Sequence, residues 1–275
     1  MSDEQAQVWE QLIAGTLPPA DTWEVALSGG ADKREAFTRL LQENKLGYLA
    51  LLRNLRKMAE VGVDAELIEG AIMARRGAER VLPFRYVAAL RAAPQFYDAI
   101  DCAFTESLQE LPPLSGTTLV LVDVSGSMND RLSARSDLTR MDAAAALATM
   151  VRPLRDGDSK VQIFTFSEYV KEITGDRTGL RMIDAICNSQ PHNGTRLHRA
   201  VAELVTLPHD RLIVISDEQA HAPPDSLTDR ITPKGYMINV ASARNGVGYG
   251  ERWVHLDGFS EKVLRWIAAF EGSER

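Results

Sequence analysis

The 275 residues are 45% hydrophobic and 25% charged, enough apolar material for two modest cores and an ordinary charged share that argues against disorder. A formal net charge of −7 excludes wholesale coating of nucleic acid, while leaving room for a local basic patch that binds it. The acidic start Met-Ser-Asp-Glu-Gln lacks the apolar stretch of a signal peptide, and no apolar run nears the ~18 residues of a membrane span, so a cytoplasmic protein with no membrane partner is expected.

From Ser2 to about Glu110 the apolar residues recur at three- and four-residue intervals, in Val8–Ile13, Phe37–Leu41, Leu46–Ala59, Leu67–Met73 and Tyr86–Leu90. Breaks at Pro18-Pro19, Gly29-Gly30, Gly62, Gly77 and Pro83 divide this into short helices joined by tight turns. Short helices in series suggest an α-solenoid of paired helices, although no clean fixed-period repeat is visible. Cys102 and Cys187, far apart and in apolar helical contexts, are expected to be reduced core residues.

At Leu111-Pro-Pro-Leu-Ser-Gly116 the composition shifts and reads as a linker, so we divide the chain into a helical region, 1–112, and a second domain, 113–275. There strands alternate with helices. Thr118–Val122 is an apolar, β-branched run ending in Asp123, and Met141–Leu154 is an Ala-rich amphipathic helix. Val161–Phe166 is a strand with Tyr169–Ile173 as an edge partner, followed by helices at Leu180–Cys187 and Leu197–Leu207. Strands at Leu212–Ile215, Tyr236–Ala241 and Trp253–Leu256 come next, and a helix at Leu264–Phe270 closes the pattern. Continuous apolar strands between helices predict a Rossmann-like, doubly wound, mostly parallel sheet covered on both faces. The fold class is thus α plus α/β. Ligand sites in such sheets lie at the carboxyl ends of the strands.

Asp123-Val-Ser125-Gly-Ser127 follows the first of these strands, Asp217 follows Arg211–Ser216, and Thr195 sits between a loop and a helix. The topology sends all of them to one edge. They offer two carboxylates and three hydroxyls without nitrogen or sulfur, a donor set for a hard cation, Mg²⁺ first, with Mn²⁺ or Ca²⁺ as alternatives. A glycine at 126 suits a tight turn that points both serines the same way. The plainer reading makes Ser125 and Ser127 helix caps and Asp217 a turn former, but it leaves the joint spacing with Thr195 unexplained. All of these positions resemble the metal-ion-dependent adhesion site of von Willebrand A domains. That resemblance implies an open coordination position filled by an acidic group of a protein partner. The polar loop Asn129–Arg140 would assist, as would Arg244 and Tyr249 on the rim, from the glycine-rich loop after Tyr236–Ala241.

Catalysis fits poorly. There is no Gly-x-Ser-x-Gly elbow and no phosphate-cradling Walker loop, and the histidines at 192, 198, 209, 221 and 255 lack metalloprotease spacing. We read no catalytic residue and expect no enzyme.

Within the helical region, Leu51, Leu52, Leu55, Met58 and Ala59 line one helix face, and Arg53, Arg56 and Lys57 the other. From Lys45 to Arg91 nine Lys/Arg face five Asp/Glu, a local +4, whereas both flanks are acidic. Such a cluster is either a solvated helix face or a phosphate-binding strip, with Arg75, Arg76, Arg80, Arg85 and Arg91 as a looser second set.

Leu51–Met58, Pro83-Phe-Arg85, Asp123–Met128, Gly194-Thr195, Ser216-Asp217 and Leu256-Asp-Gly-Phe259, in that order, resemble the TROVE family of telomerase, Ro and vault proteins, and its Ro ribonucleoprotein branch in particular. The resemblance implies HEAT-like helices closed by the A-type domain. It implies binding of small noncoding RNA and of single-stranded RNA ends, a role in RNA quality control, and association with an exoribonuclease in bacterial forms. Family members carry a longer helical region. Two arrangements therefore stay open here, several chains assembling as a homo-oligomer or a single chain with an open basic surface. A metal-dependent protein-interaction adaptor that binds no RNA is the competing reading.

Overall fold

The computed structural model describes residues 3–16, 23–28, 32–134, 136–154, 156–175, 179–219, 234–241, 253–258, 260 and 262–273. The chain divides into two compact units, Met1–Gly77 and Ala78–Arg275.

The first unit is helical: α1 (Asp3–Ile13), α2 (Trp23–Ser28), α3 (Lys33–Gln42), α4 (Tyr48–Glu60) and α5 (Ala65–Ala74). Asp32 caps α3 by accepting the Glu35 amide, and Asp64 caps α5 by accepting those of Glu66 and Leu67, so the helix starts are set by local chemistry. The spacing read from the sequence then buries Phe37, Leu40 and Leu41 of α3, Leu51, Leu52, Leu55 and Met58 of α4, and Ile68 and Ile72 of α5. Tyr48 locks the pair α4–α5 by donating its hydroxyl to the Ile72 carbonyl at 2.8 Å.

The second unit opens with α6 (Phe84–Ala92) and α7 (Tyr97–Leu108), then runs β1 (Thr117–Asp123), α8 (Arg140–Met150), β2 (Lys160–Phe166), β3 (Val170–Glu172), α9 (Gly179–Cys187), α10 (Leu197–Leu204), β4 (Arg211–Ser216), β5 (Lys234–Asn239), β6 (Trp253–Asp257) and α11 (Lys262–Ser273). The strand order is β3-β2-β1-β4-β5-β6, parallel throughout except for the antiparallel edge strand β3. A helical segment followed by a Rossmann-like, mostly parallel sheet is the fold class that the sequence predicts. The order reverses between β1 and β4, whose residues Val122 and Ile215 pair, so their carboxyl ends form the crevice of the sheet.

Three details differ from the sequence reading. The break between compact units falls after Gly77, well before the composition shift at Leu111–Gly116. The reason is side-chain chemistry that periodicity does not register: Arg91 of α6 reaches Asp142 of α8 and Asp184 of α9, and Asp101 of α7 accepts the Leu180 amide of α9. The segment read as a linker is pinned, with Leu111 and Leu114 buried and Leu114 exchanging backbone hydrogen bonds with Arg152 and Leu154. Second, α8 is not amphipathic. It lies between β1 and β4 on one side and α6 and α9 on the other, and its buried run Met141–Ala148 uses alanines because both sides are close. Cys102 is exposed rather than a core residue. Cys187 is a free, half-buried thiol whose pKa burial pushes up to about 12, with Asp142 adding to the shift.

Candidate metal centre

β1 ends in the buried Asp123 and β4 is followed directly by the buried Asp217, which brings both carboxylates to the crevice. Asp123 is doubly held, its Oδ1 accepting the Ser125 amide at 2.9 Å and its Oδ2 the Ser216 hydroxyl at 2.6 Å. The Ser125 and Ser127 hydroxyls lie 3.4 Å apart, so both serines do face the same way. Gly126 permits this for a reason other than its turn. A Cβ there would lie 3.3 Å from the His192 carbonyl, so any other residue would press on the loop bearing Thr195. The Gly126 amide donates to Asn193 O at 3.2 Å, and the His192 ring Nδ1 sits 2.7 Å from the Val124 carbonyl. Ser167, after β2, donates to Gly194 O and fixes the same loop from the other side. Thr195 follows, half-buried, at the entrance to α10.

The electrostatics ask for positive charge. Burial pushes the Asp123 carboxyl up to about 6 against the lowering effect of its serine hydrogen bonds, and the charge of Asp217 pushes the same way as burial. Asp217 Oδ2 is bonded at 3.0 Å by Nη1 of Arg140, the first residue of α8 and the last of the polar loop read as a helper. Oxygen-only donors on three chain segments, two of them buried carboxylates, together fit a hard divalent cation. A guanidinium, that of Arg140, rests on one of these carboxylates. Among the described residues no group of three or more His, Cys, Asp or Glu could hold a metal, so this centre would rest on two carboxylates and hydroxyls. Arg244 and Tyr249, the rim candidates, lie outside the described residues.

Sequence reasoning missed three contributors. Ser216 was noticed only as the neighbour of Asp217, yet it anchors Asp123; His192 carried no spacing signal; and the pairing of Arg140 with Asp217 spans 77 residues.

The basic candidates fall in both compact units. In the first, Arg53 and Arg56 are exposed one turn apart on α4, with Lys57 beside them in a 3.0 Å pair with Glu60. Arg75 is the left-handed C-cap of α5, and Arg76 is exposed. In the second, Arg80 is exposed beside Glu79 and Arg85 is exposed on α6. Arg91 is engaged differently. Its guanidinium bonds Asp142 at 2.9 Å and Asp184 at 3.1 Å, so it ties α6 to α8 and α9. Burial lowers its pKa and the two aspartates more than offset this, leaving it raised.

Comparison with known proteins adds a family. Residues 2–90 match the TROVE domain model. The chain is 26% identical over 157 residues to telomerase protein component 1 of Mus musculus, an alignment covering 53% of this chain and 6% of that protein. It is similar to the crystal structure of the Deinococcus radiodurans RO (RSR) protein, with a TM-score of 0.57 and 18% identity over 91% of this chain and 63% of the other. An aerotolerance-related membrane protein from Bacteroides fragilis aligns with a TM-score of 0.36 and 17% identity, covering 56% of this chain and 86% of that one, too distant to carry an argument. The chain therefore spans under two thirds of the Deinococcus chain and a small part of the telomerase component. Residues 2–90 thus match the TROVE domain, within a chain whose fold is similar to that of the Deinococcus protein.

Proposed function

We propose that this chain is a non-catalytic RNA-binding protein of the Ro type, taking small noncoding RNA or single-stranded RNA ends on the basic face of α4. The observation that carries the reading is that the TROVE match, residues 2–90, contains an amphipathic helix whose outer face presents Arg53, Arg56 and Lys57. Arg75, Arg76, Arg80 and Arg85 extend the positive surface within their own units. Asp123, Ser125, Ser127, Thr195 and Asp217 would hold a divalent cation, first Mg²⁺. A bound cation supplies a Lewis-acidic position for an acidic group of a protein partner. Ser216 keeps the Asp123 carboxylate oriented for it.

The experiment is a mobility shift with a single-stranded RNA at low salt. Reversing Arg53, Arg56 and Lys57 to glutamate should weaken binding to all sequences alike, on the order of a hundredfold, because phosphate contacts carry no sequence information. The buried face of α4 is untouched, so the far-ultraviolet circular dichroism should not change. Wild-type protein that fails to shift RNA would favour the second reading, a metal-dependent protein adaptor, for which the net charge of −7 speaks. An unaltered shift by the triple variant would move the RNA to another surface.

A further inference from the structure

We infer that Arg140 is a resident cation of the candidate metal centre, the counter-charge of Asp217 with which a divalent ion must compete. The inference rests on the reading of Asp123, Ser125, Ser127, Thr195 and Asp217 as ligands.

The position of Arg140 is built, not incidental. The loop before it closes on itself: Leu132 and Leu138 share a backbone hydrogen bond, Arg131 and Thr139 form an antiparallel bridge, and the Arg140 amide donates to Asp130 O at 2.9 Å. Thr139 and Asp142 then form a reciprocal capping box, which fixes the first turn of α8 and so the root of the Arg140 side chain. From there Nη1 meets Asp217 Oδ2 at 3.0 Å, Asp130 Oδ2 at 3.3 Å and Ser127 O at 3.4 Å. Two of these three acceptors belong to residues of the candidate centre.

The burial pattern gives the pairing its consequence. Asp217 is fully buried and the Arg140 side chain only 19% exposed, so their attraction is weakly screened, and so is the repulsion between the guanidinium and any second cation on the same carboxylate. The Asp217 oxygen opposite, Oδ1, accepts the Gln219 amide at 3.2 Å, so Oδ2 is the oxygen over which the two cations contend. Asp130, 65% exposed and already within reach, gives Arg140 a second carboxylate to rest on when it yields Asp217. The geometry thus describes an exchange of cations rather than simple entry into a negative hole. A displaced guanidinium at the rim would also be placed to receive the acidic group of a partner.

The test is Mn²⁺ titration calorimetry on the full chain, comparing wild type with Arg140→Gln, Arg140→Lys and Asp123→Ala. All three replacements at 140 and 123 leave the apolar core intact, and Gln and Lys are good helix residues. Removing the charge should tighten Mn²⁺ binding about tenfold or more in Arg140→Gln, and the charge-retaining Arg140→Lys should tighten it by less. In thermal unfolding, Arg140→Gln should melt lower than wild type in chelator and gain more from added Mn²⁺. Binding in Arg140→Gln that equals or falls below wild type, while Asp123→Ala abolishes it, would overturn the inference and leave the metal reading standing. Equal tightening in the Lys and Gln variants would overturn it too, because side-chain size and not charge would then be responsible. If neither wild type nor Arg140→Gln binds Mn²⁺, the metal reading falls and the inference with it. Should Arg140→Gln fail to fold, Arg140→Lys decides alone: a few-fold gain supports the exchange and no change refutes it.

Discussion

Arg211 is the first residue of β4, a place where a charge would ordinarily be costly, yet it is almost fully buried. It is tolerated because each guanidinium nitrogen is engaged: Nε and Nη2 grip Glu271 of α11, while Nη1 serves the Ser115 carbonyl and the Thr118 hydroxyl. Burial alone would raise the Glu271 carboxyl, but the Arg211 hydrogen bonds and charge, with the Tyr236 hydroxyl, hold it below its ordinary 4.5. A carboxyl depressed in the fold adds stability that is present above that ordinary value and is lost as pH falls through the depressed one. Glu271→Gln should therefore cost about 2–3 kcal/mol near neutral pH, since it leaves Arg211 buried without its counter-charge. In urea unfolding across pH, the gap between wild type and variant should narrow steadily below about pH 4.5. A constant gap would mean that Glu271 is held by packing and not by charge.

Among the elements, α8 shows where sequence patterning carries and where it stops. The strands β1, β2 and β4 were readable because each is an apolar run of the right length ending at a polar residue, and parallel strands buried on both faces must look so. The adhesion-like residues were readable because their types and spacing need no knowledge of orientation. What escaped was pairing across the chain. Nothing local in Arg91 separates it from Arg85, six residues earlier on the same helix, yet of the two Arg91 meets aspartates from two other helices. Arg91→Ala should lower stability by about 1 kcal/mol in urea unfolding, near the low end for a broken pair because 38% of its side chain already meets solvent. RNA affinity should not change. A loss of RNA binding with stability intact would return Arg91 to the phosphate-binding set.

At the scale of the molecule, charge is segregated although the total is negative. The acidic flanks keep non-specific adhesion low, while Lys45–Arg91 carries a local excess of +4, four of whose arginines and lysines besides Lys45 lie on α4 and at the end of α5. Binding governed by such a patch has a countable salt dependence. Three contacts from α4 predict a slope of about −2 in log affinity against log salt for single strands, and recruitment of Arg75 and Arg76 of the same unit would steepen it to about −3.5. Fluorescence anisotropy over a salt series measures this directly, and the triple variant should flatten it. A slope near zero in the wild type would exclude phosphate contacts as the source of affinity. Among the described residues no helix is long and apolar enough to cross a membrane.

The hydrogen bond from Ser216 to Asp123 closes a loop of 93 residues. Contacts of such separation are the last that a folding chain can afford to make, because the entropy of closing the loop is spent before the bond repays it. The crevice is therefore a late-assembling part of the molecule, complete only once β4 has docked beside β1. A ligand that needs both carboxylates has nothing to recognise on the way to the native state. It should leave the rate of folding alone and act on the reverse journey, slowing escape from the finished structure and lengthening the life of the folded chain.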